Sequence, residues 1–314
     1  MLRSAAIIAV AALALACKPA KIGAGGSETE PPKHDLRAPS TPDRAGGKPA
    51  NEIKAVHKEA KPNASNTGPS NPGNLVPWPY GSTYLNTPGA VYENFTLNGC
   101  IEIDANNVTL RNFVINCGGN YGIKQYNGHQ GNLFEDGEIT GNFESAGILG
   151  LGFTARRLYI HHARGDAIKA QGSTPGQTLV EASFIHCMGI KPDGFPVVDP
   201  HTDAVQIEGI QSHPGMTFRG NNFDMRGSPT TPPPECPNAP QGNGVIEMSD
   251  GNTNIVYEDG WVNGGGVMFS VDNAGLTVRN MLIGREYLFG VKYPCPSCTW
   301  TNNRWEDTAE IIQP

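Results

Sequence analysis

One short phrase recurs along this chain: an apolar residue, then Arg or Glu, then most often Asn or Asp, two variable residues and a second apolar one. It begins at Tyr92, Leu110, Phe134, Ala155, Val180, Phe218, Tyr257 and Val278, and in weaker form at Trp300. The starts lie 18, 24, 21, 25, 38, 39, 21 and 22 residues apart. Short β-rich segments, turns and a near-constant period are the signature of a parallel β-solenoid, whose repeats bury apolar surface only by stacking on their neighbours. A collagen-like repeat needs a strict glycine period, which is absent. With 39 Gly, 26 Pro and only 17% charged residues, the chain also lacks the Ala-, Leu-, Glu- and Lys-rich make-up of a helical bundle or a doubly wound enzyme.

A second phrase, a small residue followed by Ile or Val, keeps the same phase. Strand alternation sends Ile123, Ile148, Ile168, Val205, Val245 and Val267 into one stacked apolar column. The neighbouring outward column then reads Lys124, Leu149, Lys169, Gln206, Ile246 and Met268. About nine rungs at ~4.8 Å each make a rod on the order of 43 Å long.

These residues resemble a right-handed parallel β-helix of the pectate-lyase-like superfamily, over residues 88 to 305. The resemblance implies an all-β fold and a carbohydrate-directed activity, and it is specific for the fold rather than the reaction. Asp199-Pro200-His201 resembles the Asp-Pro-His of mannuronan C5-epimerases, but the Tyr that family carries three residues earlier is Pro196 here. The stretch from His201 to Gln206 is similar to a His-x-Asp-Gly-Ile-Gln phrase of secreted β-helix proteins. A polygalacturonase would carry a doubled Asp where Gly165-Asp166-Ala167 has one, and no pectate-lyase set of calcium carboxylates with a catalytic Arg is evident.

The two long intervals hold insertions, residues 189–200 and 226–242, between the same two strands of successive rungs. Insertions at one corner of adjacent rungs rise side by side, and such loops line binding faces. Beside them Asp166, Lys169, His201, Asp203, Gln206 and Glu208 are expected to converge within two rungs. His201, Lys169, Asp203 and Asp166 are the catalytic candidates; Lys124, Arg164, Gln171, Gln206 and Glu208 are the substrate-binding ones. The structural alternatives are turn caps for the two Asp residues and a plain ion pair for Lys169. His161 and His186 read as a stacked structural pair on another strand.

The termini and charge set the context. Residues 1–17 carry one positive charge at Arg3, an apolar run from Ala5 to Ala16, and Cys17. The run is too short to span a bilayer and fits a bacterial lipoprotein signal whose lipid-bearing residue is Cys17. Residues 18–75 are rich in Pro, Gly, Ser, Lys and Glu without apolar periodicity, and read as a disordered tether. The remaining 76–314 form one domain with 13 Lys/Arg against 24 Asp/Glu, a surface unsuited to duplex nucleic acid. Six cysteines follow Cys17, an even number that suits disulfides in an exported domain, with Cys100–Cys117 and Cys295–Cys298 as the local pairings.

The expected protein is thus exported, monomeric and held to a membrane only by its lipid, with a polysaccharide as partner. Three functions stay open. A lyase or C5-epimerase on a uronate glycan would use His201 as base and Lys169 to neutralise the carboxylate. A glycoside hydrolase would use Asp166 and Asp203. The third is a carbohydrate-binding or structural solenoid without catalysis. The sequence assigns no definite cofactor; calcium, bridging a polyanion to the acidic half, is the metal considered. Membrane fractionation tests the anchor: Cys17→Ser should release the protein or leave it unprocessed, and unchanged processing with unchanged membrane retention would refute it.

Overall fold

A computed structural model describes residues 60–191, 193–196, 201–248, 253–271, 275–292 and 297–313. Apart from one 3-10 turn at Pro72–Asn74, its regular structure is β-strand, and every strand pair is parallel. Successive strands do not pair with each other; each pairs with its counterpart about one repeat away, so the chain coils. Strand twist makes parallel crossovers right-handed in nearly all cases, and the fold is a right-handed parallel β-helix.

Nine strands form one sheet, in the order Tyr84–Leu85, Ile101–Ile103, Tyr121–Gln125, Ala146–Leu149, Asp166–Ser173, Asp203–Ser212, Gly244–Met248, Val267–Val271 and Gly290–Lys292. The other sheet starts with one long strand per rung, Val91–Asn98, Thr109–Asn116 and Asn132–Thr140. Beyond Asn132–Thr140 each rung contributes two shorter strands, such as Thr178–Glu181 and Phe184–Met188, that part at a corner.

That corner is the repeated phrase. Its third residue is Asn94, Asn112, Asp136, Arg157, Ala182, Gly220, Asp259, Asn280 or Asn302, and all nine are left-handed, with φ between 49° and 62°. Asn and Asp tolerate this conformation better than other residues with a Cβ, which explains their recurrence. Their side chains also bond along the stack: Asn112 Nδ2 donates to Asn94 Oδ1 at 2.8 Å, Asn280 to Asp259 at 2.9 Å and Asn302 to Asn280 at 2.9 Å. The second position alternates in sign from rung to rung. Arg111 lies between Glu93 and Glu135, Arg156 between Glu135 and Glu181, and Glu258 between Arg219 and Arg279. The first and last positions are apolar, and among them Phe134, Phe218, Phe223 and Tyr257 are fully buried in the core.

Three expectations change. First, the column through Ile123, Ile148, Ile168 and Val205 continues through Ile246 and Phe269, not Val245 and Val267. The outward column therefore passes from Gln206 to Glu247 and Ser270 rather than Ile246 and Met268. Val245 and Ile246 are adjacent and both buried, so local hydropathy does not choose between them, and a one-residue slip exchanges the faces.

Second, residues 60–75 are not a free tether. They run along the corner column as a strap: Lys61 pairs with Glu306 at 2.5 Å, Pro62 O accepts from Asn222, Gly68 N–H donates to Arg157 O, and Asn71 exchanges bonds with Asn112. The strap ends at Val76–Pro77, which pairs with Phe95 and Thr96. The folded part thus begins ahead of residue 76. The signal region, Cys17 and the tether up to residue 59 lie outside the described residues.

Third, besides the expected Cys100–Cys117 disulfide, a second joins Cys187 to Cys236 and staples the second insertion to the strand Phe184–Met188. Cys298 is also disulfide-bonded, and its expected partner Cys295 lies outside the described residues.

The corner makes a stability prediction. Ala182, at φ 49°, bears a Cβ penalty that glycine avoids. Ala182→Gly should raise stability by about 0.5–1 kcal/mol in urea denaturation, whereas Asn112→Ala, which loses the ladder and strap bonds, should lower it by more than ~1 kcal/mol.

Candidate functional site

Asp166 and Asp203 are the first residues of neighbouring strands in the nine-stranded sheet, on the corner from which both insertions leave. They are linked directly: the Asp203 backbone N–H donates to Asp166 Oδ1 at 2.9 Å. Both are buried, at 5% and 1% exposure. In the next rung Asp203 faces Gly244, where a Cβ would stand 2.9 Å from Asp203 Oδ1. Glycine there lets the backbone close over the carboxyl.

The Asp203 carboxyl meets the Gly244 backbone N–H of the next rung, a contact that on its own would favour the ionised form. What also stands beside it is the carboxyl of Glu247, reached because the register places Glu247 next to Gln206. Two carboxyls bond to one another only when one keeps a proton. Burial, then the charge of Asp166, then Glu247 hold the Asp203 carboxyl well above the usual carboxylate range. Asp166 is pushed up to about 7, chiefly by burial, while the Asp203 N–H and the Lys169 charge pull the other way.

Lys169 and Gln206 are direct neighbours across the strands. Lys169 Nζ is 2.7 Å from Glu208 Oε1. Burial works against its charge, but Glu208 and Asp166 outweigh it and hold the ammonium above its ordinary value. Asp166, Asp203, Lys169, Gln206 and Glu208 therefore come together, with Glu247 added. Gln171 is exposed farther along the strand Asp166–Ser173, its amide near Gly209. His201 is exposed two residues ahead of Asp203; Asp199 and Pro200 lie outside the described residues.

Two expected residues sit elsewhere. Lys124 lies two rungs from Lys169 across Leu149, over the Tyr126 ring and 3.9 Å from Glu102. Arg164 is engaged with Glu144 at 3.1 Å on an exposed turn. His161 and His186 are register neighbours on the strands Tyr159–Ala163 and Phe184–Met188, and their rings stack on Tyr159 and Phe184. Burial lowers His186 to about 4. Among the described residues, the metal-ligand atoms that gather in threes within 4.8 Å are those of His186, Cys187 and Cys236. Those two sulfurs already form a disulfide. Calcium has no comparably gathered set of carboxylates among the described residues.

Comparison with known proteins adds little. No protein-family model matches the chain, and no curated protein does. Among solved structures, the catalytic domain of a GH87 alpha-1,3-glucanase in complex with nigerose is similar, at 13% identity and a TM-score of 0.38. The match covers 71% of this chain and 56% of that one. A likeness at that level does not extend to chemistry.

The buried acid has a measurable cost. Between pH ~4 and ~7 native Asp166 keeps a proton that the unfolded chain has released, so stability falls as pH rises through this window. Asp166→Asn should flatten that slope in urea titrations at pH 4.5 and 7.5. At the higher pH it should stabilise the protein by up to about 4 kcal/mol, from roughly three pH units at 1.36 kcal/mol each.

Proposed function

We propose that the chain is an exported, polysaccharide-acting glycoside hydrolase whose catalytic groups are the carboxyls of Asp166, Asp203 and Glu247. The observation that carries this is a pair of buried carboxyls, Asp166 and Asp203, joined through the Asp203 N–H with Glu247 beside them, at the foot of two adjacent insertions. Carboxyl groups pushed apart in proton affinity are the requirement for glycosidic cleavage, where one group gives a proton and another acts as base or nucleophile.

The roles follow from the surroundings. Asp203 keeps its proton, and Glu247 beside it, the less buried of the two, passes a proton on to the leaving oxygen. Asp166 accepts the Asp203 N–H and has Lys169 near, the arrangement that favours its ionised form; it serves as base or nucleophile. Lys169 draws Asp166 toward its ionised form against the larger effect of burial, and Gln206, Glu208 and Gln171 meet the sugar hydroxyls. His201, exposed at the rim of the first insertion, bounds the site.

The lyase or epimerase reading is less favoured. It asks Lys169 to neutralise a uronate carboxylate, and Glu208 already occupies that ammonium. The disulfides favour an oxidising compartment, in keeping with export and an anchor at Cys17 on a tether.

The test is turnover on a polysaccharide panel, read both as new reducing ends and as absorbance of unsaturated product. Reducing ends without unsaturation are expected. Asp166→Asn, Asp203→Asn and Glu247→Gln should each cut kcat by about 10²-fold or more. Because Asp166 must be ionised to act, kcat/KM should fall as pH drops below about 7. Unsaturated product, or three variants as active as the parent, would refute the hydrolase.

A further inference from the structure

The outward face that carries Lys169 continues toward the first rung through Leu149, Lys124 and Glu102 to Tyr84. There the character of the face changes. Tyr84 and Tyr126 stand edge to face, ring centroids 6.3 Å apart and planes at 79°. Each hydroxyl is held by a carboxylate, Tyr84 donating to Asp104 and Tyr126 to Glu102. Asp104 is held in turn by His129 Nε2 at 2.7 Å. Tyr84 nevertheless remains 44% exposed, and the side chains of Glu102 and Asp104 are 46% and 39% exposed.

We infer that Tyr84, Tyr126, Glu102 and Asp104 form a remote subsite for an uncharged sugar unit of a glycan lying along this face. The inference rests on the proposed glycan-directed activity and adds the place and charge class of the substrate. Three features carry it. The Tyr84 ring presents its apolar face to water while the polar tips of both rings are tied down, so they are ordered before a ligand arrives and binding orders little more. Each carboxylate spends one lone pair on a tyrosine and keeps others for sugar hydroxyls. A few fixed polar groups around an aromatic wall are the usual make-up of a small-molecule site.

The charge class follows from the cations. Lys124 is shared between Tyr126 Oη at 3.2 Å, the Tyr126 ring and Glu102 at 3.9 Å. Lys169 is bound by Glu208 and Arg164 by Glu144. These cations are already neutralised by the protein's own acids, and Glu102 and Asp104 would repel a uronate. A neutral sugar meets neither penalty. Lys124 and Tyr126 are two rungs from Lys169, ~9.6 Å, and Tyr84 is two rungs farther, so the subsite holds a unit remote from the bond cleaved.

The experiment uses the full chain and two kinds of probe. Neutral hexasaccharides (gluco-, xylo-, manno- and galacto-configured) and hexagalacturonate are titrated calorimetrically into Asp166→Asn protein. At least one neutral hexasaccharide should bind, and more tightly than hexagalacturonate. Adding Tyr84→Ala or Tyr126→Ala should weaken it about 10-fold or more, while Tyr84→Phe, which keeps the ring, should lose less than about 3-fold. Thermal melting of each variant separates lost binding from lost folding, and Tyr84→Phe keeps the test open if an alanine variant does not fold. In the active protein Tyr84→Ala should raise KM more than it lowers kcat. Tighter binding of hexagalacturonate, binding indifferent to both alanine variants, or no binding of any neutral probe would overturn the subsite. The two readings fail separately. Carboxylate-dependent turnover that ignores the tyrosines removes the subsite alone. Tyrosine-dependent binding without carboxylate-dependent turnover removes the hydrolase alone.

Discussion

A parallel β-helix turns corners once per rung at the same place, and here the turn is made by a single left-handed residue. Nine such residues stack, and the backbone around them is regular because each corner has the same φ. Everything laid on top depends on that regularity. The Asn and Asp side chains can bond from rung to rung only if the corners superpose, and the alternating Glu and Arg residues can interleave only at one rung spacing. At Glu258 burial works against the charge, yet the bonds from Arg219 and Arg279 outweigh it and the carboxyl is held below its usual range. Single exposed ion pairs are worth little; a ladder shares each partner between two neighbours and so helps fix register. The strap of residues 60–75 uses the same column, crossing it at Arg157 and Asn112.

The opposite corner behaves differently, because there the period is broken. Two insertions leave between the same strands, one of them stapled by Cys187–Cys236. Beneath them the first strand position, small or apolar in other rungs, is Asp166 and then Asp203. Burying two carboxyls met by only the Asp203 and Gly244 N–H groups is unfavourable for folding. Nothing in the solenoid's own packing requires them, since Ala146 and Gly244 fill the same column. Locally unfavourable groups set in an otherwise consistent frame are where function is expected.

The stacked histidines show the contrast. His161 and His186 also occupy one column and are also largely buried, but their rings lie against Tyr159 and Phe184. Burial lowers His186, which leaves it neutral and suits a packing role. Similar burial thus lowers the proton affinity of a ring in one place and raises that of the Asp166 and Asp203 carboxyls in another, because an imidazole sheds its charge by losing a proton and a carboxyl only by keeping one.

The solenoid, its rung count, the apolar column as far as Val205, the Cys100–Cys117 pair and the nearness of Asp166, Asp203 and Lys169 were legible in the sequence. All of them follow from local spacing repeated at a constant period, since stacking converts equal sequence offsets into equal positions. Glu247 was not legible. Across the 17 residues of the second insertion the count is lost, and the adjacent apolar pair Val245 and Ile246 fits the core in either phase, so only the paired strands decide which face Glu247 takes. The strap was hidden for a related reason. Residues 60–75 carry no apolar periodicity because they are held by hydrogen bonds to corners, and such bonds leave no pattern in hydropathy. Tyr84 and Tyr126 belong to separate rungs 42 residues apart, and only the coil brings their rings and the two carboxylates onto one face.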